Sequence, residues 1–354
     1  MQTYIVYILM VITVLCLAKN AQVRNKRSRF MFVAVLLSVI AGLRAESVGV
    51  DTANYVRLFG LIGQGEFKLA YGLETSFKYI CAFLLTIWDH PNFLFLVFAV
   101  VTNCFIFARL WDFRDRISLT WATVIYIAVF YFMTFNVLRQ FVAVAILFYA
   151  TKYLERKKYF KFLICVMCAT LFHTSALLGL LFIVFDIFDW SQLTKKQKKI
   201  IKIFIVCGVA AVAVLGIGII GKYSSYFTNV HFNFGILILL KILLFALTAR
   251  SMSGEYVANA EGGYSVEAYS FKTVKVYYFV GMLLTALGYM FDNMNRVGLY
   301  FYLFETVYIG MVMCSKRVSV ITKLIISALY LFLMFGTVFG NGQGQGNYLF
   351  FWQV

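Results

Sequence analysis

Arg44, Arg139 and Arg296 each stand at the end of an apolar run beside polar residues, whereas most lysines and arginines gather at the opposite ends of such runs. A guanidinium is planar, stays charged at any relevant pH and makes forked bonds to phosphate oxygens. Two or three of them converging would hold an anion such as a pyrophosphate and stabilise it as it departs. The same ends of the chain carry Asp51 and Glu74, either of which could take a proton from an attacking hydroxyl. His173 could serve as a base or as a donor to a phosphate oxygen. Asn136 and Gln140 add hydrogen-bonding groups, and Tyr55 and Tyr223 offer faces on which sugar rings could stack.

Each residue also has a plainer role. Arg44 and Arg139 could reach outward to lipid headgroups, or pair with Glu46 and a helix carbonyl. Asp51, in Asp-Thr-Ala-Asn, fits the N-cap of a helix over 52–60. His173 could be a satisfied polar group at a helix end. Arg57, Lys68, Lys78 and Lys222 read as surface residues, and Lys241, in the middle of an apolar run, must pair internally or snorkel. Cys165 and Cys168 form a CxxC among Ile, Val and Met, which reads as small core residues of a helix. The histidines at 90, 173 and 231 are too scattered for a zinc-type cluster.

Composition fixes what must position these groups. The chain has 354 residues, 62% hydrophobic and 13% charged, with a single proline, and a mean hydropathy of +0.85. That balance belongs to an all-α, polytopic integral membrane bundle and excludes a soluble domain. The net charge of +17 does not signal nucleic acid, because it lies in short clusters between apolar runs, as in cytoplasmic loops under the positive-inside rule. Residues 3–18 are apolar and their basic cluster follows rather than precedes them. The run therefore reads as a helix with its N-terminus outside, not as a cleaved signal.

The basic positions at 19–29, 109–116, 152–161, 195–199, 250 and 316–317 then set the path. At about 20 residues per crossing, the chain goes out and back between each pair. Arg139 falls at one outer turn, His173-Thr174-Ser175 at the apex of a hairpin of two short helices over 162–190, and Arg296 at a late outer turn. The reading gives about twelve transmembrane helices and a single membrane domain over 1–354, with both termini outside. The main extramembrane segments are an outer loop at 44–92, holding an interfacial or re-entrant helix, and a polar cytoplasmic loop at 250–275. Irregular backbone at depth needs protein or a water-filled cavity to cover it, so a cavity opening outward is expected. The glycine-rich stretch 341–347 reads as a mobile outer tail.

Four stretches carry a resemblance. Arg44-Ala-Glu-Ser-Val-Gly49-Val-Asp51-Thr52-Ala-Asn-Tyr55 is followed by Asn136-Val-Leu-Arg139-Gln140-Phe-Val-Ala143. Then come Leu171-Phe172-His173-Thr174-Ser175-Ala176-Leu177 and a late Asn295-Arg296 before Tyr300-Phe301. Together they resemble the EpsG family of Wzy-like exopolysaccharide polymerases, and Glu74 before an aromatic-rich helix fits the same pattern. The resemblance implies a multi-pass glycosyltransferase of the bacterial cytoplasmic membrane, with its active site facing the periplasm or cell exterior. It implies undecaprenyl-pyrophosphate-linked oligosaccharide as substrate, and a flippase and a chain-length regulator as partners. The products implied are exopolysaccharide, O-antigen or capsule. No sugar nucleotide, metal or other cofactor is implied, because the donor is already an activated lipid. Arg44, Arg139 and Arg296 are then expected on the pyrophosphate. Asp51, His173 or Glu74 is expected as acid or base, and Tyr55, Asn136, Gln140 and Tyr223 on the glycan.

The main rival is a transporter, a flippase of lipid-linked oligosaccharide or of another anion. Such folds commonly show internal repeats and broken helices near the midplane. No clear repeat is visible here, and the polar residues gather at one face. A membrane O-acyltransferase and a non-enzymatic scaffold rank below it.

Overall fold

The computed structural model describes residues 2–70, 72–187, 235–258, 266–289, 294–346 and 348–353. Among them the chain is helical, with an isolated bridge between Arg44 and Phe350. The order begins α1 (Gln2–Val23), α2 (Arg27–Gly42), α3 (Thr52–Gly63), α4 (Thr75–Leu85), α5 (Pro91–Asp112), α6 (Leu119–Ile125) and α7 (Leu138–Glu155). It continues with α8 (Tyr159–Thr170), α9 (Leu180–Ile187), α10 (Ile236–Ala258), α11 (Val266–Leu287), α12 (Met294–Tyr302), α13 (Glu305–Cys314) and α14 (Val320–Phe339).

Among the described residues, three helices are long and apolar enough to cross a membrane: Tyr4–Val23 of α1, α5 and α14. A fourth span arises if α12 and α13, bent by 43° at their junction, are taken together. The expected dozen crossings do not emerge from these helices. Several expected crossings are made of short pieces such as α8 and α9, and the one expected over 200–221 lies outside the described residues.

The basic clusters at 19–29, 109–116, 152–161 and 316–317 share one end of the bundle, and the one at 195–199 lies outside the described residues. There Gln22 Nε2 donates to the carbonyls of Arg114 (3.0 Å) and Ile117 (2.6 Å), Ser118 N donates to Gly310 O (3.1 Å), and Arg109 pairs with Glu155 at 2.5 Å. Between the ends, several buried polar side chains pair with one another, which offsets the cost of burying them. Asn103 accepts from Tyr126 OH at 2.7 Å and donates to Ser38 at 3.1 Å, which ties α2, α5 and the helix after α6 together. Lys241 does pair internally. Its ammonium lies 2.9 Å from Glu305 Oε1 at the start of α13, and that oxygen also accepts from Tyr278 (3.0 Å) and Tyr330 (2.5 Å).

Three segments differ from expectation. The stretch 44–92 holds two short helices, α3 and α4, instead of one. At about 1.5 Å per residue, neither is long enough to span. The polar segment 250–275 is mostly helix, since α10 runs on to Ala258 and α11 starts at Val266. The charges there mark where apolar sequence ends, and the backbone hydrogen-bonding continues past them. The described part of the tail, 341–346, is folded back onto the bundle: Gln345 is buried, and Tyr7 OH donates to its carbonyl at 3.1 Å. Of the CxxC pair, Cys168 is exposed on the outside of the bundle and not in its core.

Candidate active site

A helix that changes pitch sets up the site. From Leu119 the α-helix passes into a π-turn over Tyr126–Phe130 and then a 3₁₀ turn over Tyr131–Phe135. Such departures from α-geometry gather at functional sites. Here the tightened turn ends the helix at Phe135, and the chain reverses through Asn136 and Val137 into α7. Arg139 and Gln140 therefore fall in the first turn of α7, where unpaired backbone N–H groups and the helix dipole favour an anion. Arg296 lies in the first turn of α12 in the same way.

These ends enclose a cavity of about 320 Å³, lined among others by Asp51, Tyr55, Asn136, Arg139, Gln140, His173 and Arg296. Glu74, at the N-cap position of α4, joins three of its walls. Its Oε2 pairs with Arg139, and its Oε1 lies 2.9 Å from His173 Nδ1 and accepts from Thr174 N at 3.2 Å. Burial pushes the Glu74 carboxyl up, but the His173 hydrogen bond and the Arg139 charge outweigh it and bring the pKa down to about 2. Glu74 is thus a carboxylate that only accepts. Nδ1 of His173 must carry the hydrogen, which leaves Nε2 as the basic nitrogen. Arg139 itself lines the cavity, while its Nε is buried with no hydrogen-bond partner among the described residues.

Asp51 sits at the N-cap position of α3, yet its side chain makes no capping bond. Its backbone N donates to Asn136 Oδ1 at 3.2 Å, and the residue lines the cavity. Gln140 Nε2 donates to the carbonyl of Arg296 at 2.6 Å, which fixes the start of α12 against α7. Ser175 and the Tyr300 hydroxyl, 2.9 Å apart, join the hairpin apex to the same helix.

Arg44 does not reach the cavity. It is 1% exposed, held between the rings of Phe95 and Phe135 at 4.2 and 4.8 Å. Its guanidinium donates to the carbonyls of Ala41 and Phe135 and to Thr52 Oγ1. It clasps the loop that carries Asp51 to the turn that carries Asn136. Tyr223 lies outside the described residues. The tail, which reads as mobile in the sequence, instead supplies a partner to the site: Asn136 Nδ2 donates to both the carbonyl (3.0 Å) and the Oε1 (2.8 Å) of Gln343. The repeated glycines read as looseness, although glycine is equally the residue of close backbone approach.

No curated protein and no solved structure shows significant similarity to the chain. The family model described as EpsG family matches residues 29–351, nearly the whole length, from α2 through the folded tail. The chain belongs to the EpsG family.

Proposed function

We propose that the protein is a membrane polysaccharide polymerase. It transfers a growing glycan from undecaprenyl pyrophosphate to the terminal hydroxyl of another lipid-linked repeat unit, at the outer face of the bacterial cytoplasmic membrane. Membership of the EpsG family is consistent with such a role. The observation that carries the reading is that Arg139, Arg296, His173 and Asp51, from four separate segments, line one cavity.

In this mechanism the acceptor hydroxyl gives its proton to His173 Nε2 or to the Asp51 carboxylate. Its oxygen forms a bond to the anomeric carbon of the donor glycan, and the bond from that carbon to the pyrophosphate oxygen breaks. Arg139, Arg296 and the first turns of α7 and α12 take up the charge that collects on the leaving pyrophosphate. Glu74 is not the base, because a carboxylate whose pKa is brought down to about 2 has little affinity for a proton. It orients His173 and Arg139. Arg44 holds the walls together without touching substrate.

The test gives the purified protein lipid-pyrophosphate-linked repeat units alone and measures glycan length. Longer glycans support the reading; none with the cognate unit sinks it. The transporter reading draws on one observation, the bent α12–α13 span with the buried Lys241–Glu305 pair at its break. Movement of the lipid-linked unit across proteoliposomes without any elongation would favour it.

A further inference from the structure

The tail after α14 meets the Asp51 loop through paired backbone contacts. Gly49 N donates to Gly344 O at 2.9 Å, and Ala45 N donates to Leu349 O at 2.8 Å. Gly344 has φ +74°, and a Cβ there would lie 2.8 Å from Val50 N and 2.9 Å from Gly49 C. Gly49 in turn has φ +101°, and a Cβ would lie 2.5 Å from Thr52 Oγ1. Both positions therefore need glycine, for conformation and for closeness. The tail is anchored on its far side as well, by Gln345 Nε2 to Thr337 O at 2.7 Å and Tyr348 OH to Ile40 O at 2.7 Å.

One side chain links this strap to the cavity. Asn136 spends both amide hydrogens on Gln343, on its carbonyl and on its Oε1. That fixes which way the Asn136 amide faces, and its Oδ1 is left to accept from Asp51 N. Gln343 has no contact with the cavity itself, but it orients the residue that holds Asp51 there.

We propose that the C-terminal strap, described over 341–346 and 348–350, is a working part of the site, with Gln343 as a positioning residue that acts through Asn136 on Asp51. The functional half of this inference rests on the polymerase reading, and the structural half does not. Gln343→Ala removes one acceptor, Gln343→Glu keeps an acceptor oxygen, and Gly344→Ala pushes the strap off Gly49 and Val50.

The full-length protein in lipid nanodiscs is examined twice. First, amide hydrogen exchange is followed over residues 45–55. Gln343→Ala and Gly344→Ala are expected to speed exchange at Gly49 and Asp51 at least about fivefold, the worth of one hydrogen bond. Unchanged exchange in both overturns the proposal. Second, elongation of the cognate lipid-linked unit is measured. Gln343→Ala is expected to lower kcat about tenfold by misplacing Asp51, with KM within about threefold of wild type, and Gln343→Glu to restore kcat.

Full kcat in Gln343→Ala, or equal loss in Gln343→Glu, overturns the positioning role. A wild-type protein that makes no polymer counts against the polymerase reading instead, and the exchange measurement still judges the strap.

Discussion

In the proposed mechanism His173 works through what its neighbour forbids. Glu74 cannot donate, so it holds the imidazole with Nδ1 protonated and Nε2 basic, and the same carboxylate braces Arg139. Glu74→Gln can offer a hydrogen to Nδ1 and so permits the wrong tautomer. It is expected to cut kcat about a hundredfold or more while the protein stays folded and inserted. The pH dependence follows from the lowered Glu74 pKa. Its stabilising contribution is fully present above the ordinary carboxylate range and is lost as pH falls toward about 2. Thermal unfolding of wild type between pH 4.5 and 2 should therefore drop more steeply than that of Glu74→Gln. Equal slopes would show that the carboxylate is not held in this way. At this scale the sequence was legible in part. Arg139 and Arg296 announce themselves by charge out of place, and His173 and Asp51 by the outer segments they fall on, but nothing in one dimension tells an arginine that faces a cavity from one packed between Phe95 and Phe135.

Elements, more than single residues, decide where those groups point. The α-to-π-to-3₁₀ passage at 126–135 sets the turn at Asn136, and Arg44 ties that turn to the end of α2 through the Phe135 and Ala41 carbonyls. Arg44→Ala strands those buried acceptors and is expected to destabilise the protein by about 3 kcal/mol. In the surviving folded fraction the KM for lipid-linked substrate should stay near wild type. A large rise in KM without loss of stability would instead put Arg44 on the substrate. The two short helices α3 and α4 were only half visible in sequence, because polar and apolar residues alternate too irregularly between 44 and 92 to set helix ends. The strap was misread for a related reason: glycine permits both looseness and close backbone approach, and only tertiary contacts decide between them.

For the whole molecule, the separation of charge is the organising feature. The described basic clusters occupy one end of the bundle, and Arg139, Arg296, His173 and Asp51 line a cavity at the other. The Lys241–Glu305 pair, 4% and 0% exposed, lies between them, where α12 and α13 bend. Glu305→Ala leaves Lys241 buried and unpaired, and should cost about 3–5 kcal/mol. Replacing both by methionine should cost much less. If the double replacement is as damaging as the single one, the pair has a role beyond mutual neutralisation. The membrane class and the two-ended charge pattern were legible because hydropathy and lysine placement are properties of the chain as a string. The number of crossings was not, because short and broken helices blur the length rule that counts them.

A pyrophosphate leaving group held by arginine is the centre of the proposed reaction, so the most direct measurement counts undecaprenyl pyrophosphate released for each glycosidic bond formed by the purified protein. The prediction is one released per bond in wild type, with both release and elongation lost together in Arg139→Ala. Elongation without that release, or an Arg139→Ala variant that matches wild type, would contradict it.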